Sequence, residues 1–443
     1  MSPETVKSIL NNIISELHQD PSLFVARPGI DFTRDRKLPL NTMLKIIIGM
    51  NGGSIKRELY DYDKSISVTS AAFVQQRNKI LPDMFGYIFR QFTDQLPLDK
   101  TYRGYNLLAV DGSAVSLATN ERTDTYMENG SKEGYNAFHL SALYDLCNKI
   151  YIDAVIDPQP TYNEIRSAIQ MTLRQQFNKS ILIGDRGYIS LNLIEHINRK
   201  PNLEYLIRVY SKWVSEVQEL PMTDLDTDVS FEIRTTQTNA DKELYKTGQT
   251  KFLIGKSKFG KPKKNVNWDF ESPHIMKLRI VRFKINDTGD DTTDYETIVT
   301  SLDRDQFPPE EIKKLYHMRW GIETSFRELK YSIGLSHLHT RKDTAAMQEI
   351  YARLIMYNFS QCITMHVVIN QKAVRKKRRK WAYQANFTYA MHLCKDYFRN
   401  HDPDPPDITT RIASEILPVR PDRQDKRKII VSKGFVWFLY RVA

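Results

Sequence analysis

Asp111 and Asp185 each follow a short apolar run, Leu107-Leu108-Ala109-Val110 and Ile181-Leu182-Ile183-Gly184. A carboxylate just past the carboxyl end of a strand leaves the core and enters the crevice at the sheet's edge. A third acid, Glu323, lies in a segment that starts at Pro308-Pro309-Glu310-Glu311 and reads as one helix to about Ser332. At roughly 100° per residue, Tyr316, Arg319, Glu323 and Lys330 project within an arc of about 60°. Leu315, Met318, Ile322, Phe326 and Leu329 form the apolar stripe beside it. Three such carboxylates make a hard oxygen cage of the kind Mg²⁺ or Mn²⁺ accepts while keeping waters. Two ions there could activate a water or a 3′-hydroxyl and neutralise the leaving oxygen of a phosphodiester. Arg319 and Lys330 would grip phosphates or balance the carboxylate charge. A blander reading stands beside this one. Asp after a strand is a common turn residue, and Gly112-Ser113 and Gly187-Tyr188 suit tight turns. Glu323 with Arg319 and Arg327, four residues either side, could be a surface salt ladder.

The elements that must position these residues follow from hydrophobic patterning. Residues 1–100 read as helical, with apolar periodicity in Val6–Leu17, Leu40–Met50 and Phe85–Phe92. Between the last two, Thr69 or Ser70 can cap a helix whose polar side offers Gln75, Gln76, Arg77, Asn78 and Lys79. Such side chains suit groove or phosphate contacts, so this is a candidate DNA-binding region, or else an ordinary amphipathic helix. From Asn106 the pattern changes to strands. Ala137–Leu146 and Ile150–Ile156 form a hairpin about Cys147-Asn148-Lys149; a helix follows at about 163–177, a strand at 180–183, a helix near 190–199 and a strand at 205–209. That order predicts an α/β fold with a mixed sheet and helices on its faces. Residues 210–300 read as a mostly β insertion without a helix, with strands at Val229–Arg234, Lys277–Ile285 and Tyr295–Thr300. The divisions expected are 1–100, helical; 105–209, first part of a catalytic domain; 210–300, β-rich; 301–345, the helix of Glu323; and 346–443, a basic helical region.

Composition bounds the classes. The 443 residues carry 64 Lys plus Arg against 53 Asp plus Glu, a net charge of +11, and 41% are hydrophobic. That suits a globular protein and excludes an acidic disordered chain. Lys372–Lys380 and Lys426-Arg427-Lys428 concentrate positive charge near the C-terminus, either as a solvated face or as a nucleic-acid footprint. No basic segment leads into an apolar one at the N-terminus, and the apolar window 351–370 is interrupted by Arg353, Asn358, Gln361 and His366, so no membrane span and a cytoplasmic location are expected. Cys147, Cys362 and Cys394 suggest neither a disulfide framework nor a zinc site. Gly255–Lys261 nearly spells a phosphate-binding loop, but Pro262 stands where Ser or Thr must reach magnesium, so a basic hairpin is the better reading. His337-Leu-His339 reads as structural, and Asp145, Asp153 and Asp157 as turn or edge carboxylates. Trp320 could pack or stack on a base, and Tyr295 could stack on an unpaired one.

The run Tyr316-His-Met-Arg319-Trp-Gly-Ile-Glu323-Thr-Ser-Phe-Arg-Glu-Leu-Lys330 spells Y-x2-R-x3-E-x6-K and resembles the signature of insertion-sequence DDE transposases of the IS-four type. Asp111 in VDGS, Asp185 in GDRGY and a β-rich stretch before Glu323 are similar in order to that family over about 105–345. The resemblance implies an RNase H-like catalytic domain that cuts and rejoins DNA at element ends. It also implies Asp111, Asp185 and Glu323 as ligands of two Mg²⁺ or Mn²⁺ ions, and Tyr316, Arg319 and Lys330 as contacts to the transposon end. Expected partners are double-stranded DNA, both terminal inverted repeats and target, and a second copy forming a homodimer on DNA. A nuclease without strand transfer and a catalytically inactive DNA-binding regulator are the alternatives.

Overall fold

The structure, a computed structural model, describes all residues except 35, 130–131, 211–212, 237, 253–266, 286–294, 368–381, 401, 403–405 and 420–443. The chain opens on helices α1 (Pro3–Gln19), α2 (Leu40–Gly49), α3 (Ile55–Tyr62), α4 (Ser70–Arg77) and α5 (Pro82–Thr93). Ser2 caps α1 by accepting from the Thr5 amide and Thr69 caps α4 by accepting from that of Ala72. Then come β1 (Asn106–Leu117), β2 (Tyr126–Asn129), β3 (Lys132–Asp145), β4 (Ile150–Pro158), α6 (Glu164–Arg174), β5 (Ser180–Gly184), α7 (Leu191–Asn198) and β6 (Leu203–Arg208). Next are α8 (Ser215–Gln218), β7 (Leu225–Arg234), α9 (Asn239–Lys246), β8 (Lys251–Phe252), β9 (His274–Lys284) and β10 (Tyr295–Thr300). The chain continues with α10 (Pro309–Met318), α11 (Trp320–Arg327), α12 (Asp343–His366), β11 (Ala382–Ala385), α13 (Phe387–Arg399), α14 (Ile408–Ser414) and β12 (Ile416–Val419). The fold class is α/β with a mixed sheet, as the alternation of strand and helix predicts.

Two compact units divide these elements: Met1–Asp99 with Gly112–Tyr162 and Glu323–Ala443, and Lys100–Asp111 with Asn163–Ile322. In the first, α12 is buried on nearly every side, which its all-round mixture of Ile350, Leu354, Ile355 and Phe359 with Gln348, Glu349, Arg353 and Asn358 makes possible only if the polar groups are matched. Asn358 is matched by the backbone of Tyr151 in β4, accepting from its amide (2.8 Å) and donating to its carbonyl (2.8 Å). The antiparallel β3–β4 pair turns at Asp145, whose carboxylate accepts from the amides of Cys147 and Asn148.

In the second unit, the first half of β1 pairs in parallel with β5, and β5 with β6. Here the β-rich residues do not stand apart. Strand β10 pairs antiparallel with β6, β9 with β10, and β7 with β9, so they continue the same sheet. The 210–300 stretch, expected to lack helix, contains α8 and α9. Thr238 and Asp241 close a reciprocal cap on α9, a signal hidden in a polar segment without an apolar stripe. Strand β1 also differs from expectation: it does not end at Asp111 but runs to Leu117, so Gly112 and Ser113 are strand rather than turn.

Candidate active site

The register of the parallel pair decides where the two aspartates go. Val110 on β1 is the partner of Gly184 on β5, so Asp111 and Asp185 are the next residues on neighbouring strands running the same way. Asp111 stands where β1 outruns β5. Gly184 is the last residue of β5, and a Cβ there would lie 3.2 Å from Cβ of Tyr188. Asp185 then opens a short 3₁₀ turn, Arg186–Tyr188, with its Oδ1 accepting from the Gly187 amide at 2.8 Å. Asp185 thus takes the turn role the sequence allows for it, on the strand next to that of Asp111.

The segment expected as one helix is interrupted. Arg319 ends α10, with its amide on the Tyr316 carbonyl (3.1 Å), and the Ile322 amide returns to the Arg319 carbonyl (3.1 Å). These three-residue steps tighten the chain at Arg319. After α11 the chain widens into a π-turn over Glu328–Ser332, so a uniform wheel does not describe Lys330. Within the second unit, the Arg319 guanidinium reaches Asp111 Oδ2 at 3.6 Å and is 7% exposed. It lies over the rings of Tyr316 (5.9 Å) and Trp320 (5.5 Å). Tyr316 is buried, and that burial pushes its hydroxyl up while Arg319 and Arg208 pull it down. Trp320 is 41% exposed, with Arg319 against its ring. Glu323 and Lys330 belong to the first unit and are half-buried, and burial holds the Lys330 ammonium below its ordinary pKa.

Two residues not singled out by the sequence join Asp111 and Asp185 in the second unit. Tyr188 is 1% exposed, and its hydroxyl has no hydrogen-bond partner among the described residues. Burial raises its pKa well above the ordinary tyrosine value, and the charges of Glu164, Asp111 and Asp185 raise it further, against Arg319. Glu164, in the first turn of α6, is the other addition. A Cβ built on Gly187 would lie 3.0 Å from Asp185 Oδ1 and 3.4 Å from Glu164 Oε2, so both carboxylates border the space this glycine leaves open. Among the described residues, no group of three or more His, Cys, Asp or Glu side chains is arranged to hold a metal ion. The two aspartates on neighbouring strands nonetheless offer hard oxygens, a donor set suited to a hydrated divalent ion.

The candidate DNA contacts on α4 and just after it divide. Gln75 is exposed; Lys79 is half-buried and donates to Gln76 Oε1 (2.8 Å). Arg77 points inward, 2% exposed, donating to Gln348 Oε1 (2.8 Å) and Glu349 Oε1 (2.8 Å), which gives it a packing role rather than the expected contact to DNA. His339 pairs through Nδ1 with Glu349 Oε2 at 3.1 Å, a structural role. Asp145 serves its turn, whereas Asp153 is fully buried within β4 rather than at an edge. Tyr295 begins β10 and is half-buried. Cys147, Cys362 and Cys394 form no disulfide among the described residues. The runs 372–380, 426–428 and 255–261 lie outside the described residues.

The family model described as "Transposase DDE domain" matches residues 102–359, more than half of the chain, and the chain belongs to that family. It is a DDE transposase, an enzyme of DNA transposition. No curated protein matches its sequence. Among solved structures it is similar to the cryo-EM structure of a piggyBac transposase synaptic complex with hairpin DNA. The identity is 12% over 96% of this chain and 87% of that one, with a TM-score of 0.45. Among the described residues, no helix is long and apolar enough to cross a membrane.

Proposed function

We propose that the chain cuts DNA at the ends of a transposable element and joins the exposed 3′-hydroxyl to target DNA, using Asp111, Asp185 and Glu323 as the carboxylates of an RNase H-like centre. The observation that carries this is the β1–β5 register, which sets Asp111 and Asp185 side by side with Arg319 at 3.6 Å from the former. Two Mg²⁺ or Mn²⁺ ions fit these hard donors; bound, they would supply an activated oxygen nucleophile and a neutralised leaving group. Arg319, backed by the rings of Tyr316 and Trp320, is held ready to take phosphate charge, and its planar fork suits two phosphate oxygens. Trp320 offers a stacking face to a base of the element end. Lys330, together with Gln75 and Lys79, supplies further contacts to terminal inverted repeats. Concerted joining of two ends calls for a homodimer on DNA, and access to DNA for a cytoplasmic location.

Purified protein mixed with a labelled element end and a plasmid target, with and without Mg²⁺, tests this. Joined product in the presence of Mg²⁺ is expected. Cleavage alone would make the chain a nuclease, and a mobility shift alone a DNA-binding regulator. Glu323→Gln is expected to lower cleavage by about a hundredfold or more while end binding persists; undiminished cleavage removes Glu323 from the centre.

A further inference from the structure

An acid in the first turn of a helix ordinarily answers the helix dipole, and Glu164 on α6 could do no more than that. Its surroundings say otherwise. Glu164 Oε2 and Asp185 Oδ1 both border the position a Gly187 side chain would fill, at 3.4 and 3.0 Å. The Tyr188 hydroxyl, three residues after Asp185, is buried and without a hydrogen-bond partner among the described residues, and it lies within the electrostatic influence of Glu164, Asp111 and Asp185. A buried hydroxyl left unsatisfied is costly unless something absent from the bare protein completes it. Two carboxylates, of Glu164 and Asp185, border that one position, and Asp111 follows on the neighbouring strand with Arg319 as its counter-charge. Repulsion of this kind is relieved by a cation. Glu164 does not belong to any set of three acidic, His or Cys side chains arranged to ligate an ion directly. A divalent ion of magnesium's type, however, keeps most of its waters and takes only one or two protein carboxylates.

We propose that Glu164 and the Tyr188 hydroxyl form the outer wall of the cation site built on Asp111 and Asp185, holding the hydration shell of a divalent ion rather than the ion itself. This assignment rests on the reading of the two aspartates as metal ligands. Glu164 accepts hydrogen bonds from the shell, Tyr188 completes it from below, and Gly187 stays bare because a side chain would take the room the waters need.

Titration of the full-length chain with Mn²⁺, followed by loss of the free-ion electron paramagnetic resonance signal, tests it without recourse to activity. Glu164→Gln, nearly the same shape, is expected to weaken Mn²⁺ binding about tenfold. Tyr188→Phe is expected to weaken it less, and Glu164→Asp, which keeps the charge, to restore part of the loss. Asp185→Asn is expected to remove the site. If Glu164→Gln binds Mn²⁺ like the parent while Asp185→Asn does not, the outer-wall assignment is overturned and the catalytic reading stands. Loss in Glu164→Gln as complete as in Asp185→Asn overturns it also, making Glu164 a direct ligand. Parent-like binding in both Asp111→Asn and Asp185→Asn brings down the reading beneath it.

Discussion

Arg77 shows how far a residue type can mislead. On the α4 sequence it is one of several polar side chains, yet its guanidinium is enclosed with Glu349, both almost wholly buried. Only the approach of α12, more than two hundred residues away, fixes this, and no local pattern announces it. Removing one member of a buried pair strands the other, so Arg77→Ala is expected to lower stability by about 3–5 kcal/mol in urea unfolding. The DNA-end affinity of the folded protein should stay unchanged, unlike that of Lys79→Ala. A second buried cation, Lys395 on α13, donates to the Ile333 carbonyl at 3.1 Å; burial, then Arg353 and Arg399, lower its pKa to about 7. An unfolded lysine titrates near about 10.4. Between these values the unfolded chain binds a proton that the folded chain lacks, so this group makes stability rise with pH from about 7 to about 10. Lys395→Met should remove that slope, seen as the difference between the urea midpoints of parent and variant across the same range. Asp111, Asp185, Arg319 and Tyr316 were legible as residues of interest because a strand end and a spaced motif are local. Glu164 and Tyr188 were not, since only the fold of α6 against the 3₁₀ turn makes them neighbours.

At the scale of elements, the strands and helices of the sheet were readable from alternation and caps. The breaks were not. The tight step at Arg319 and the π-turn at Glu328–Ser332 leave no mark on an amphipathic wheel, because each alters the phase by a fraction of a turn without changing which residues are apolar. A π-turn carries one residue more than the α-helix needs. Deleting Ser332 should let the segment relax to α geometry and turn Lys330 relative to Glu323. The expected outcome is a helical content close to the parent's by circular dichroism and end binding weakened about tenfold, the order that follows when one phosphate is deprived of its ammonium partner. Undiminished binding would show that the phase of Lys330 has no bearing on DNA. The extension of the sheet by β10, β9 and β7 was likewise hidden: a strand's sequence tells that it pairs, not with whom.

For the molecule as a whole, the excess of 64 basic over 53 acidic side chains predicts binding dominated by ion pairing with phosphates. The logarithm of the end-binding constant should fall linearly and steeply with the logarithm of salt concentration. Replacing two of the lysines in 376–380 by glutamine should flatten the slope by roughly one for each phosphate that is no longer neutralised. An unaltered slope would assign that run to solvent. The parallel ladder of β1 and β5 carries a different kind of consequence. Side chains alternate along it, so one codon gained or lost within Asn106–Val110 or Ser180–Gly184 would send an aspartate to the opposite side. Such a gene would still encode every acid of the centre, and its product would be silent.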